Sequence, residues 1–209
     1  MMKLIGIVGT NSNTSTNRKL LQFMRKHFSS QAEIEVCEIK HLPAFDEPED
    51  RQAPTEVQAL CEQIAAADGV IISTPEYDHT IPAALKSAME WISYTTRPLI
   101  NKPVLIVGAS HGLLGTSRAQ MHLRQILDAP ELKARVLPSS EFLLGHSLAA
   151  FDESGDLVYA NKVQELEEIF EEFQLFVKIN QQLVKENHFK TEQSKAFSWE
   201  SVIWGGERA

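Results

Sequence analysis

The stretch Val70-Ile71-Ile72-Ser73-Thr74-Pro75-Glu76-Tyr77-Asp78-His79-Thr80-Ile81-Pro82-Ala83-Ala84-Leu85-Lys86-Ser87-Ala88-Met89-Glu90-Trp91 decides the fold. Its apolar start suits a strand buried on both faces. Pro75 breaks it, and a helix follows, with Thr80 as the expected N-cap and Pro82 in the first turn, where a missing N–H costs nothing. The joint between them carries Glu76, Tyr77, Asp78 and His79. Strand-loop-helix joints of this kind lie at the carboxyl edge of a parallel sheet, where open α/β folds place ligands.

The same grammar recurs on either side. Residues 4–8 read as a buried strand ending at Gly9, followed by Thr10-Asn11-Ser12-Asn13-Thr14-Ser15-Thr16-Asn17-Arg18 and a helix with Leu20, Leu21, Met24 and Phe28 at helical spacing. Hydroxyls, backbone N–H groups and a helix N-terminus together make an anion site. Neither the GxxxxGK[ST] nor the GxGxxG pattern is present, so a phosphate monoester fits better than a pyrophosphate. The run reads equally as a polar turn with a capped helix. Ile34 and Val36 alternate with acidic residues, as in a strand near a sheet edge, and residues 41–54 form a long irregular loop. Val57, Leu60, Cys61, Ile64 and Ala65 mark a second helix, expected to end at Gly69.

Beyond Arg97-Pro98, residues 103–107 read as another buried strand, ending in Ser110-His111-Gly112-Leu113-Leu114-Gly115. Its glycines permit close backbone approach or positive φ. A helix with Met121, Leu123, Ile126 and Leu127 as apolar positions follows, then a short last strand at 135–137, a turn-rich excursion at 151–157 and a long amphipathic helix at 163–184. The β-α alternation implies an α/β three-layer sandwich, a five-stranded parallel sheet in the order 2-1-3-4-5 with helices on both faces. In that order the loops after the first and third strands flank the topological switch point.

The 209 residues fit a domain at 1–185 and a C-terminal tail at 186–209, whose Trp199 and Trp204 suit docking on a partner subunit. A net charge of −8 argues against a nucleic-acid partner. No apolar run approaches a membrane span, and the N-terminal apolar run is too short for a signal peptide, so a cytoplasmic protein is expected. Cys37 and Cys61 show no metal-type or CxxC spacing and read as two reduced, buried thiols; no metal site is expected.

On these motifs the chain resembles the NADPH-dependent FMN reductase family, a flavodoxin-like group that includes azoreductases, quinone reductases and chromate reductases. The motifs are Gly9 to Asn17; Pro75-Glu76-Tyr77-Asp78 with Leu85-Lys86-Ser87-Ala88-Met89-Glu90-Trp91; and Ser110-His111-Gly112-Leu113-Leu114-Gly115 with Arg118-Ala119-Gln120. The resemblance implies bound FMN, with Thr10, Ser12, Ser15, Thr16 and Asn17 at its phosphate. Pro75, Glu76, Tyr77 and Asp78 would line the isoalloxazine, and Ser110, His111, Gly112 and Gly115 would close the other side. Ser12 stands where the family carries an arginine, and Arg18 is the nearby cation available to compensate. Asp78 replaces the usual asparagine, and an ionised carboxylate beside the ring would lower its reduction potential.

The implied activity is an FMN-dependent NAD(P)H oxidoreductase that works by ping-pong, from NADPH or NADH to a small-molecule electron acceptor. The flavin supplies the redox chemistry, so no side chain is named as catalytic. A homodimer or homotetramer is implied as well. The alternative reading is a flavodoxin-like electron carrier without nicotinamide-dependent activity.

Overall fold

The computed structural model describes residues 1–186. In chain order it contains β1 (Met2–Val8), α1 (Thr16–His27), β2 (Ala32–Glu38), α2 (Thr55–Ala66), β3 (Gly69–Ser73), α3 (Ala83–Tyr94), β4 (Pro103–Ala109), α4 (Ser117–Leu127), β5 (Arg135–Val136), β6 (Phe142–Leu144), a 3-10 turn (Ser147–Ala149) and α5 (Ala160–Glu186). All strand pairs are parallel, in the order β2-β1-β3-β4-β5, and β6 also pairs with β4. The order 2-1-3-4-5 is therefore as expected, with one strand more.

The extra strand has a local cause. β5 pairs with Pro103 and Val104 at the start of β4, and β6 with Val107, Gly108 and Ala109 at its end. They are two halves of one edge strand, parted where Pro138 brings no N–H to donate and Ser139 takes φ +59°. Arg124 of α4 holds the gap, donating to the carbonyls of Leu137 (2.8 Å) and Ser140 (2.5 Å). The second half delivers the 145–150 turn to the carboxyl edge of the sheet.

Side-chain alternation along the strands feeds two cores. Ile5, Ile7, Val70, Ile72, Val104 and Ile106 face α2, α3 and α4, while Leu4, Val8, Ile71, Leu105 and Val107 face α1 and α5. Phe28, the C-cap of α1, stacks on Phe170 of α5 with ring centroids 3.8 Å apart, closing the second layer. Trp91 belongs to the core. It is 2% exposed, and its Nε1 donates to the Pro43 carbonyl at 2.9 Å, which fastens the 41–54 loop onto α3. Cys37 and Cys61 are free thiols, and burial pushes Cys37 up to about 11.

Several local expectations are corrected. α2 ends at Ala66, and Gly69 opens β3 instead of closing the helix. Pro82, not Thr80, is the N-cap of α3, because Thr80 is taken up in a bridge with Tyr77. Met121 is 65% exposed, and the buried face of α4 is Ala119, Gln120, Leu123 and Leu127. Apolar spacing alone did not separate an inward methionine from an outward one. The tail, with Trp199 and Trp204, lies outside the described residues.

Candidate functional site

Each loop that leaves the carboxyl edge begins where its strand's ladder ends. Gly9 N–H still donates to Ser73 O (2.8 Å) and Thr74 N–H to Val107 O (3.0 Å), so the exits of β1, β3 and β4 lie side by side. Their loops surround a cleft of about 630 Å3, within the roughly 300–1,000 Å3 of ligand pockets. Ser12, Thr14, Ser15, Thr16 and Asn17 line one end. Pro75, Glu76, Tyr77 and His79 line a second side, and residues 109–115 with Arg118 a third.

The first loop is held mainly by its side chains. Thr10 is fully buried beneath it, accepts from Ser12 N–H at 3.2 Å and lies 3.4 Å from the Tyr77 hydroxyl; it supports the cleft without lining it. Ser15 caps α1, accepting from Arg18 N–H. Thr16 Oγ1 lies 2.9 Å from Ser147 Oγ, both buried. Asn17 is a bracket between elements. Its Nδ2 donates to Ala109 O (2.8 Å), and its Oδ1 accepts from Ala109 N–H and from Ser73 Oγ (both 2.9 Å). The Asn17 side chain is thus committed to Ala109 and Ser73, with Oδ1 accepting twice and Nδ2 donating once, and it ties β3 and β4 to the start of α1. Arg18 turns away from the cleft to Glu38 and to the carbonyls of Ser12 and Asn13, and its hydrogen bonds to Glu38 raise the guanidinium above its ordinary value. Among the described residues, the backbone N–H groups of Asn13, Thr14, Ser15, Thr16 and Asn17 donate to no protein acceptor.

The second loop is a two-residue hairpin. Tyr77 and Thr80 exchange both backbone hydrogen bonds at 2.9 Å, and the central residues Asp78 (φ +49°) and His79 (φ +66°) are both left-handed. That is a type I′ turn, which favours Asn, Asp and Gly. An aspartate at 78 thus has a backbone reason to be there. Asp78 lines the adjoining groove with Ile81, Lys86 and His122, not the cleft. Glu76 reaches across to α4, where its carboxylate accepts from the N–H groups of Arg118 (3.1 Å) and Ala119 (3.3 Å) and from the Arg118 guanidinium (3.3 Å). Thr116, the N-cap of α4, gives no side-chain cap, so Glu76 does that work from another loop.

The third loop needs its glycine. Gly115 has φ +63°, and a Cβ there would lie 2.8 Å from Leu143 Cβ. Where β4 ends, a Cβ on Gly108 would fall 1.7 Å from Thr116 Oγ1, so only glycine lets β4 and the α4 cap meet. Ser110, His111 and Gly112 line the cleft; His111 and Gly112 are exposed, and nothing stands within 4 Å of a Cβ placed on Gly112. Ser147 N–H donates to Ser110 O at 3.0 Å, so the turn after β6 supports this loop from below. That turn, and the cleft-lining Thr14, Leu113, Leu114 and Arg118, are not among the residues the resemblance places at the flavin. Arg118 and the leucines stood beside or inside a motif already singled out, whereas Ser147 had no signal until β6 was seen to split from β5.

The arrangement offers an anion-holding end, a slot between two loops and an apolar mouth at Leu113 (75% exposed), Leu114 and Tyr77. No helix among the described residues is long and apolar enough to cross a membrane.

The model of the family described as NADPH-dependent FMN reductase matches residues 2–149. The chain is 60% identical over 200 residues to the NADH:(hydroxy)cinnamate reductase subunit CrdA of Vibrio ruber, covering 96% of this chain and 98% of that one. It is 45% identical over 181 residues to the NADH-dependent flavin reductase subunit 2 of Lactobacillus johnsonii, covering 84% and 97%. Among solved structures, FerB of Paracoccus denitrificans, a flavoenzyme NAD(P)H:(acceptor) oxidoreductase, superposes with a TM-score of 0.76 at 22% identity, covering 86% of this chain and 99% of that one. At that identity the superposition speaks for the fold.

Proposed function

The chain belongs to the NADPH-dependent FMN reductase family, and from that premise we propose that the cleft at the carboxyl edge is its FMN site. The protein is an FMN-dependent NAD(P)H oxidoreductase. When bound, FMN supplies hydride acceptance from the nicotinamide and delivery of electrons to the second substrate. The chain's own part is to hold, orient and shield.

One observation carries the assignment: the N–H groups of residues 13–17 are unspent at the N-terminus of α1, and Thr14 to Asn17 line a cleft of ligand size. They would hold the phosphate, helped by the hydroxyls of Ser12, Thr14 and Ser15. Thr16 and Asn17 would contribute backbone, their side chains being committed elsewhere. Pro75, Glu76 and Tyr77 would flank one side of the ring, and Ser110, His111, Gly112 and Gly115 the other. Thr10 and Asp78 would act at a remove, one under the first loop and one in the hairpin turn. Leu113, Leu114 and Tyr77 would narrow the mouth against water.

Both relatives above are named for NADH and as subunits. That supports NADH as donor and work beside other chains, whether copies of itself in a homodimer or homotetramer or a second component. A small-molecule acceptor and a cytoplasmic location complete the proposal.

The experiment is direct. The purified full chain should be yellow, or turn yellow with added FMN, and should oxidise NADH with menadione as acceptor. Anaerobic NADH should bleach the flavin band, whereas an electron carrier would stay oxidised. Protein that remains colourless and inactive after FMN is added overturns the assignment.

A further inference from the structure

Arg18 is the cation nearest the free amides, yet it has almost nothing left to give a ligand. A guanidinium carries five N–H groups. Nε donates to Glu38 Oε1, Nη2 to Glu38 Oε2 (2.8 Å) and to Ser12 O (2.9 Å), and Nη1 to Asn13 O (3.0 Å). Four donors are spent, two of them on a bidentate carboxylate that cancels the charge at contact. Both side chains are mostly covered, at 15% and 26% exposure. Glu38 is the last residue of β2, so the clamp is anchored to the sheet.

The consequence follows from peptide geometry. In a planar trans peptide the carbonyl of one residue and the N–H of the next point in opposite directions. Arg18 draws the carbonyls of Ser12 and Asn13 to itself, so the N–H groups of Asn13 and Thr14 are turned the other way, free of protein acceptors, on a loop that lines the cleft. We propose that Arg18 and Glu38 form a positioning bracket for the FMN phosphate: they hold the 12–14 backbone so that its amides, not the guanidinium, bind the anion. The proposal rests on the cofactor site proposed above. It assigns Arg18 a role through the loop, in place of direct contact with the phosphate.

The test compares FMN with riboflavin, which lacks the phosphate. The full chain, stripped of flavin, is titrated with each while flavin fluorescence is followed, for wild type, Arg18→Gln, Arg18→Lys and Glu38→Gln, with unfolding midpoints recorded alongside. The bracket predicts that Arg18→Gln weakens FMN about tenfold or more, the scale of one lost charge-assisted bond, while riboflavin stays within about twofold. Arg18→Lys should fail to restore FMN affinity, because an ammonium cannot span two carbonyls and a carboxylate. Glu38→Gln should also weaken FMN. If the guanidinium instead bound phosphate through its charge, removing the Glu38 charge would tighten FMN, and the lysine variant would bind like wild type; either result overturns the bracket. Equal losses for FMN and riboflavin would reduce Arg18 to a structural residue and overturn it too. Wild-type protein that binds neither flavin removes the site itself, whereas wild-type binding with unchanged variants removes only the bracket.

Discussion

Two helix N-termini flank the cleft, and they are finished in opposite ways. α1 is capped by Ser15 from its own loop, which satisfies Arg18 N–H and leaves the amides of residues 13–17 free. α4 has no cap of its own; Glu76 comes from a different loop and fills its terminus with a carboxylate. Both termini carry the same favourable dipole for an anion. Only one is still open to it, which is why the phosphate is assigned to α1 and the ring to the space between the 75–80 and 110–115 loops. A helix N-terminus thus says little until its donors are counted.

The comparison breaks most severely at Asn17, which ties the open terminus to β3 and β4. Asn17→Ala should lower unfolding stability by about 3 kcal/mol, because it deletes three hydrogen bonds and leaves buried partners unsatisfied. Chemical denaturation measures this, and a loss under 1 kcal/mol would mean that the ends of the strands hold together without the bracket. Gly115→Ala comes next, at about 1–2 kcal/mol for a left-handed alanine, with the Leu143 contact added. It disturbs the ring side, so titration should show FMN and riboflavin affinities falling together, in contrast to the Arg18 variants. Glu76→Gln is the smallest. It removes the charge from the α4 terminus and should cost about 1 kcal/mol by thermal or chemical unfolding, with the FMN-to-riboflavin preference unchanged. A change in that preference would place the phosphate at α4 and reverse the assignment.

Much of the architecture was legible in local pattern. Continuous apolar runs ending in polar, glycine-bearing loops announce buried parallel strands, and helical spacing marks their crossovers. The cleft was legible as three loops at one edge. What each side chain does inside it was not. Asn17, Thr16 and Glu76 are ligands by the family resemblance, but their side chains are bound to Ala109, Ser147 and the α4 terminus, far along the chain. Asp78 stood as a neighbour of the ring and occupies a turn position that selects for left-handed backbone. The β5–β6 break was missed because two or three residues carry no period to read.

Periodicity and turn chemistry are local, so the sequence by itself determined the alternation of the five strands with their helices, the parallel sheet and the edge at which a ligand would sit. Which hydrogen-bond donors remain free there is a matter of partners contributed by residues 20 to 92 positions away. Arg18 against Glu38, Asn17 against Ala109 and Glu76 against Arg118 were settled only when the chain closed on itself, because a donor's availability depends on everything within 3 Å of it and not on its own type.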